Sequence, residues 1–301
     1  SNEAEGASPT EGNHMNKQEV TDLVTERIIA ALEAGTVPWR KPWTASPASF
    51  PTSLSSGKPY RGVNVLILDA VAMSAGYTHN LWATFKQVKA MGGSVLKGEK
   101  ATPIVLWKPV EKINDEGEQE SFMLLRYYNV FNIAQTDLDI PAKYLVEREP
   151  VAIADGVARA LAYPGGPEVI HRHQDRAFYT AKTDRITLPE IEQFVSESAF
   201  AETALHEVTH STGHSSRLDR LEEGRFGCES YAKEELVAEI GAAMLATHLG
   251  LDISWDQTAA YVGSWLKALK DDRSMIVSAA QAAQKAVDVV LAEAITEEVA
   301  A

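Results

Sequence analysis

A single cysteine, Cys228, stands in 301 residues. No disulfide can therefore form within the chain, and a reducing cytoplasm is the expected setting. No run approaches the ~18 unbroken apolar residues of a membrane helix. No basic-then-apolar leader is present, so the reading is of a cytoplasmic chain with no membrane partner. Repeats, heptads and low-complexity tracts are missing too, which argues against solenoids and coiled coils. Residues 1–14 show no periodic pattern and are expected to be a tag or solvated tail outside the fold.

Basic side chains are scarce except in one stretch. Lys and Arg number 28 against 42 Asp and Glu. Yet residues 36–110 hold Arg40, Lys41, Lys58, Arg61, Lys86, Lys89, Lys97, Lys100 and Lys108, opposed only by Asp69 and Glu99. Salt limits the reach of the acidic remainder to roughly 8–10 Å, so such an island can attract a polyanion locally. Charge alone leaves an ordinary solvated surface equally open.

Residues 16–34 space Val20, Leu23, Val24, Ile28 and Leu32 for one face of a helix that stops at Gly35. The Pro-, Ser- and Gly-rich segment that follows, up to Gly62, suits an ordered loop or extended arm. Helices are expected over 63–74 and 82–91. Strands are expected over 94–110 and 121–135, joined by an acidic hairpin turn. After Pro141 and Pro150, a helix is expected over 151–163, paired strands over 168–173 and 176–188, and helices from 196 onward. The fold class is therefore α+β, with a first domain over 15–140, a linker over 141–150 and a mainly helical second domain with a small sheet over 151–301.

The second domain contains H-E-x-x-H. Positions four apart share a helix face, so His206 and His210 can present imidazole nitrogens to one ion. Glu207, beside the first ligand, is placed to take a proton from a metal-activated water. A tetrahedral zinc site needs a third protein ligand and keeps its last position open. Glu235 and Glu239 lie one turn apart in an otherwise apolar helix, where unpaired carboxylates would be costly. Glu235 is assigned as the ligand and Glu239 as the acceptor that orients a ligand imidazole. His214 falls at the wrong spacing for a third histidine ligand, and Ser216 stands where that histidine would be. His214 is read instead as a residue that fixes the loop or supports the site, with a neutral surface role equally open. Tyr231 and His214 are candidate donors to a tetrahedral oxyanion, and the strand in 176–188 is a candidate edge for an extended substrate.

In the basic island, aromatic residues alternate with cations. Rings that stack on unpaired bases, beside cations that neutralise phosphates, are what single-stranded nucleic acid requires. Trp39, Arg40, Lys41, Trp43, Lys58, Tyr60, Arg61, Asn64, Lys86, Lys97 and Lys100 are the candidate DNA contacts. Trp82, Phe85 and Trp107, inside periodic segments, read as core.

TVPWRKPW, GKPYRGVN, LWATFKQVKAMGGSVLKGEKAT and YYNVFNIAQTD resemble the N-terminal domain of ArdC-type antirestriction proteins and related plasmid primases. LHEVTHSTGHSSRLDR and YAKEELVAEIGAA are similar to the zincin-like domain of the same proteins. The resemblance implies a protein of a conjugative plasmid or mobile element that shields incoming DNA from restriction. It also implies a single-stranded DNA-binding domain followed by a metallopeptidase domain that uses Zn2+, Mn2+ or another divalent ion. A protein substrate, such as a component of a restriction system, would be the second partner. Two other readings stay open: a DNA-protecting protein whose metal is structural, and a peptidase whose basic island is incidental.

Overall fold

The computed structural model describes residues 17–39, 50–113, 119–145, 151–221, 229–255 and 262–292. Helix α1 (Lys17–Glu33) buries Val24, Ile28, Ile29 and Leu32, and the chain leaves it through Gly35 at φ 78°. A positive φ there costs a residue without Cβ little, which is why the helix stops where it does. A two-residue strand β1 (Thr52–Ser53) precedes α2 (Val63–Ala75). That helix buries Val63, Val65, Leu66, Ile67 and Leu68 in near-continuous sequence, so it is covered on several sides rather than along one stripe.

Residues 82–91, expected as one helix, divide. Leu81–Thr84 form β2, and only Phe85–Ala90 form a helix, α3. Thr84 is the switch: it ends the strand and caps α3, accepting from the Gln87 N–H while the Gln87 side chain accepts from the Thr84 N–H. β2 is held in the sheet by pairing with β4, so Trp82 and Leu81 are fully buried on its two faces. β3 (Thr102–Ile113) and β4 (Gln119–Asn132) form a long antiparallel hairpin, giving the sheet order β1-β2-β4-β3.

The second half opens with α4 (Ile153–Leu161) and a three-stranded sheet of β5 (Glu168–Arg172), β6 (Phe178–Thr180) and β7 (Arg185–Pro189). The order is β5-β7-β6, with β5 parallel and β6 antiparallel to β7, so β6 is an edge. The single strand expected over 176–188 is broken at Asp184, which takes φ 44° and reverses the chain. Helices α5 (Glu197–Ser211), α6 (Glu229–His248), α7 (Val262–Asp271) and α8 (Met275–Leu291) complete the described fold. The small side chains Ala279, Ala280, Ala283 and Ala286 of α8 are all buried.

One apolar core runs from α1 and α2 through α4–α8. At the junction Trp39 meets Trp265 edge-on, ring centroids 5.4 Å apart. Arg61 pairs with Asp288 at 2.5 Å, the Gly62 N–H donates to Gln284 Oε1 at 3.1 Å, and Thr25 Oγ1 donates to the Arg273 carbonyl at 2.5 Å. Of the segment 141–150 expected as a linker, residues 146–150 lie outside the described residues. Among the described residues no helix is long and apolar enough to cross a membrane.

Candidate metal centre

Helix α5 begins at Ser196, whose side chain accepts from the Ala199 N–H at 3.1 Å, and this sets the register that places His206 and His210 on one face. Their Nε2 atoms are 3.0 Å apart, with the rings nearly perpendicular. Glu235 of α6 completes the cluster, its carboxylate oxygens 3.6 Å from His206 Nε2 and 3.5 Å from His210 Nε2. Three ligands bound at about 2.0–2.2 Å on tetrahedral vertices are separated by about 3.3–3.6 Å. The two carboxylate–imidazole spacings match this, and the Nε2 pair at 3.0 Å has to part slightly to hold one small cation. Among the described residues this is the one group of His, Cys, Asp or Glu whose donor atoms converge in that way.

The other ring nitrogens also face carboxylates. His206 Nδ1 lies 3.5 Å from Glu239 Oε1, and His210 Nδ1 lies 3.0 Å from Glu234 Oε1. Adjacent positions on α6 thus serve different ends of the imidazoles. Glu234 is in turn gripped by Arg220, whose Nε and Nη2 donate to its two oxygens at 2.8 and 2.9 Å. Glu234 and Arg220 were not among the expected site residues. The adjacent glutamates at 234 and 235 were the available signal for the first, and nothing local in the loop marks the second.

Electrostatically the cluster behaves as a cation site. Burial opposes a charge on His206, but Glu235, Glu239 and Glu207 outweigh it and lift its pKa to about 10. Burial likewise pushes Glu235 up, and the two imidazoles reverse this, holding it well below the usual carboxylate range. A group whose folded pKa exceeds its unfolded value stabilises the metal-free fold fully below about 6.5 and loses that contribution as pH rises toward 10. A metal must displace this proton to bind. Its affinity should therefore climb across the same window, and uptake near neutral pH should release at least one proton per ion, since the neighbouring carboxylates raise His210 as well. Calorimetry in buffers of different ionisation enthalpy measures this directly, and uptake without proton release would contradict the arrangement.

The cluster opens onto a cleft of about 960 Å³. Glu207, only 8% exposed, lies on its wall together with Tyr231. Phe178 and Tyr179 of the edge strand β6 line it too. β6 is fixed by Arg217, which bonds Asp184, the Tyr179 hydroxyl, the Gly165 carbonyl and the Ser211 carbonyl at the end of α5. Tyr179 itself donates to Asp184 at 2.7 Å. His214 is turned to its own loop: its Nδ1 accepts from the Ser216 N–H at 3.2 Å and lies 2.7 Å from the Ser216 hydroxyl.

The expected DNA contacts divide. Arg40, Lys41 and Trp43 lie outside the described residues. Trp39 and Tyr60, expected on exposed loops, are buried at 4% and 8% exposure. Trp39 packs on Trp265, and burial pushes the Tyr60 hydroxyl up to about 12 despite its bond with Ser53. Neither ring offers a face to a base in this conformation, because each fills a gap in the fold. Asn64 is spent on the backbone of Val105, donating to its carbonyl at 2.6 Å and accepting from its N–H at 2.8 Å. Arg61 pairs with Asp288. Lys58, Lys86, Lys97 and Lys100 are exposed. Lys86 lies on α3, while Lys97 and Lys100 lie on the adjoining loop, which is tied to the 3-10 turn after β4 (Ile133–Gln135) through Leu96 N–H to Gln135 O and Gln135 Nε2 to Lys100 O. Phe85 and Leu96 are exposed on these same elements.

Comparison with known proteins finds two families, each matching a different part of the chain. Residues 18–131 match the N-terminal domain of anti-restriction factor ArdC, and residues 158–282 match a zincin-like metallopeptidase family. DNA primase TraC of Escherichia coli is 41% identical over 93% of this chain, which spans only 20% of the primase's length. Two crystal structures of antirestriction protein ArdC from plasmid R388 superpose along nearly the whole length. The metal-free form has a TM-score of 0.74 at 42% identity, covering 91% of this chain and 97% of ArdC. The Mn(II)-bound form has a TM-score of 0.75 at 40% identity, covering 93% and 99%. The zincin-like domain, the manganese in that relative and the donor cluster together indicate a divalent-metal centre.

Proposed function

The chain belongs to the ArdC family of antirestriction proteins, and on that premise we propose that it holds single-stranded DNA on its first half and hydrolyses peptide bonds in its second. The expected setting is the transfer of a plasmid or other mobile element, with a protein of the recipient's restriction machinery as substrate. The observation that carries the peptidase reading is the placement of Glu207 on the wall of an open cleft next to the convergent donors His206, His210 and Glu235.

Zn2+ suits this donor set, and Mn2+ is a second occupant. When bound, the ion supplies a Lewis acid and a water of lowered pKa. Glu207 takes the proton of the attacking water and returns it to the leaving amine. The edge strand β6 offers backbone groups along which an extended peptide can lie. Tyr231, on the same cleft, is the candidate donor to the developing oxyanion. A purely structural ion would need neither a base nor an open cleft, which favours catalysis. The direct test is cleavage of peptide and protein substrates by metal-loaded protein set against chelator-stripped protein.

The DNA reading rests on the exposed cations of α3 and its adjoining loop, beside Phe85 and Leu96. Each phosphate contact to a single strand contributes about −0.7 to the slope of log K against log salt. Changing Lys86, Lys97 and Lys100 together to Ala should therefore flatten that slope by about 2 and weaken binding to labelled oligo-dT roughly 10-fold or more at low salt. Trp39→Ala should instead lower the melting temperature, since its ring is interior. Fluorescence anisotropy across a salt series decides. An unchanged slope in the triple variant would move the strand elsewhere.

A further inference from the structure

The His210 side of the metal centre contains a device that the H-E-x-x-H motif does not announce. Arg220 reaches both oxygens of Glu234, Nε to Oε2 at 2.8 Å and Nη2 to Oε1 at 2.9 Å. Two further donors go to the C-terminal turn of α5, with Nη2 to the Thr209 carbonyl at 2.9 Å and Nη1 to Thr212 Oγ1 at 3.1 Å. Both side chains are largely shielded, at 14% and 16% exposure. The loop that carries Arg220 is itself fixed. The Arg220 N–H donates to the Gly213 carbonyl at 2.9 Å, and Leu218 N–H donates to the Thr212 carbonyl at 3.1 Å. Gly213 admits Leu221 so closely that a Cβ there would sit 2.8 Å from Leu221 Cγ.

We infer that Arg220 is a positioning residue for the metal centre, acting through Glu234 to set the tautomer and ring orientation of His210. The inference rests on the metal reading above. A carboxylate taken up by a guanidinium fork is ionised and can only accept. Glu234 Oε1, 3.0 Å from His210 Nδ1, therefore requires the proton on Nδ1 and leaves Nε2, the nitrogen on the side of Glu235 and His206 Nε2, as the ligand atom for a cation. Because the same guanidinium holds the end of α5, Glu234 and His210 are fixed to one frame. A lysine in this place could supply the charge but not the fork.

The test uses the full chain as Arg220→Met, Arg220→Lys and Glu234→Gln. Zinc affinity is read by competition with a chromophoric chelator, ligand geometry from the visible absorption of the cobalt(II)-loaded protein, and folding from the melting temperature without metal. The expected result is a roughly 10- to 100-fold loss of zinc affinity in all three variants. A shifted cobalt band should accompany it, and the Lys variant should not rescue. If Arg220→Met fails to fold, the Lys and near-isosteric Gln variants carry the result. Equal melting losses with affinity within about 2-fold of the parent and an unchanged cobalt band would mean a merely structural role and overturn the inference. A parent protein that takes up neither zinc nor cobalt would overturn the metal reading itself, which is a different failure.

Discussion

Glu207→Gln is expected to lower peptide hydrolysis by about 10³-fold while leaving metal content and melting temperature near those of the parent. The glutamine keeps the size of the side chain at a site only 8% exposed, so packing changes little. What is lost is the ability to carry a proton between water and leaving amine. His206→Ala should act differently. It removes one of the convergent donors and leaves Glu235 and Glu239 facing each other without the imidazole that separates them. Metal affinity should then collapse, with hydrolysis falling as a consequence. Hydrolysis by the parent, metal content by atomic absorption, and thermal melting together separate the outcomes. If Glu207→Gln leaves every function intact and only His206→Ala has an effect, through stability, the ion is a scaffold and the catalytic reading is wrong.

A second large effect is expected where α6 packs on α5, at Gly241. A Cβ built there would lie 2.4 Å from Thr209 Cγ2 and 2.9 Å from Thr209 Oγ1. Thr209 is fully buried and tied to the Leu205 carbonyl at 2.8 Å, so it has little room to yield. In an open helix, Gly→Ala would stabilise by about 1 kcal/mol. Here overpacking, worth about 1–3 kcal/mol, opposes and exceeds that gain. Gly241→Ala should lower the melting temperature and weaken metal binding, because it pushes α6 away from the helix that carries both histidines. Thr209→Ala removes the two clashing atoms, so the double variant should be more stable than Gly241→Ala alone, with a coupling of about 1 kcal/mol or more. Additive losses in the cycle would show that the close approach is not what sets the separation of α5 and α6.

Local pattern carried much of this architecture and stopped where contacts become non-local. The spacing of Val24, Ile28 and Leu32 is enough to define α1, and the i, i+4 relation is enough to put His206 and His210 on one face. Glu235 was legible because a carboxylate in an apolar helix needs a partner. Residues 82–84 look like the first turn of a helix because they are an apolar run that leads straight into one. Only the pairing with β4 makes them a strand. Trp39 and Tyr60 were misplaced for the opposite reason. Pro and Gly around them signal a loop, but a loop can be interior when another element covers it, here with Trp265 against Trp39. The Arg220–Glu234 grip spans a loop and a helix, and no periodicity reports it.

The continuous core joining α1 and α2 to α4–α8 bears on how such a module can travel between genes. A cut between the two matched regions would strand Trp39, Trp265 and Asp288 at raw apolar or charged faces, so neither fragment would inherit a finished surface. Recombination that respects folding must therefore copy the pair as a block. The aligned region of the far longer TraC primase runs through both parts, as such joint inheritance requires.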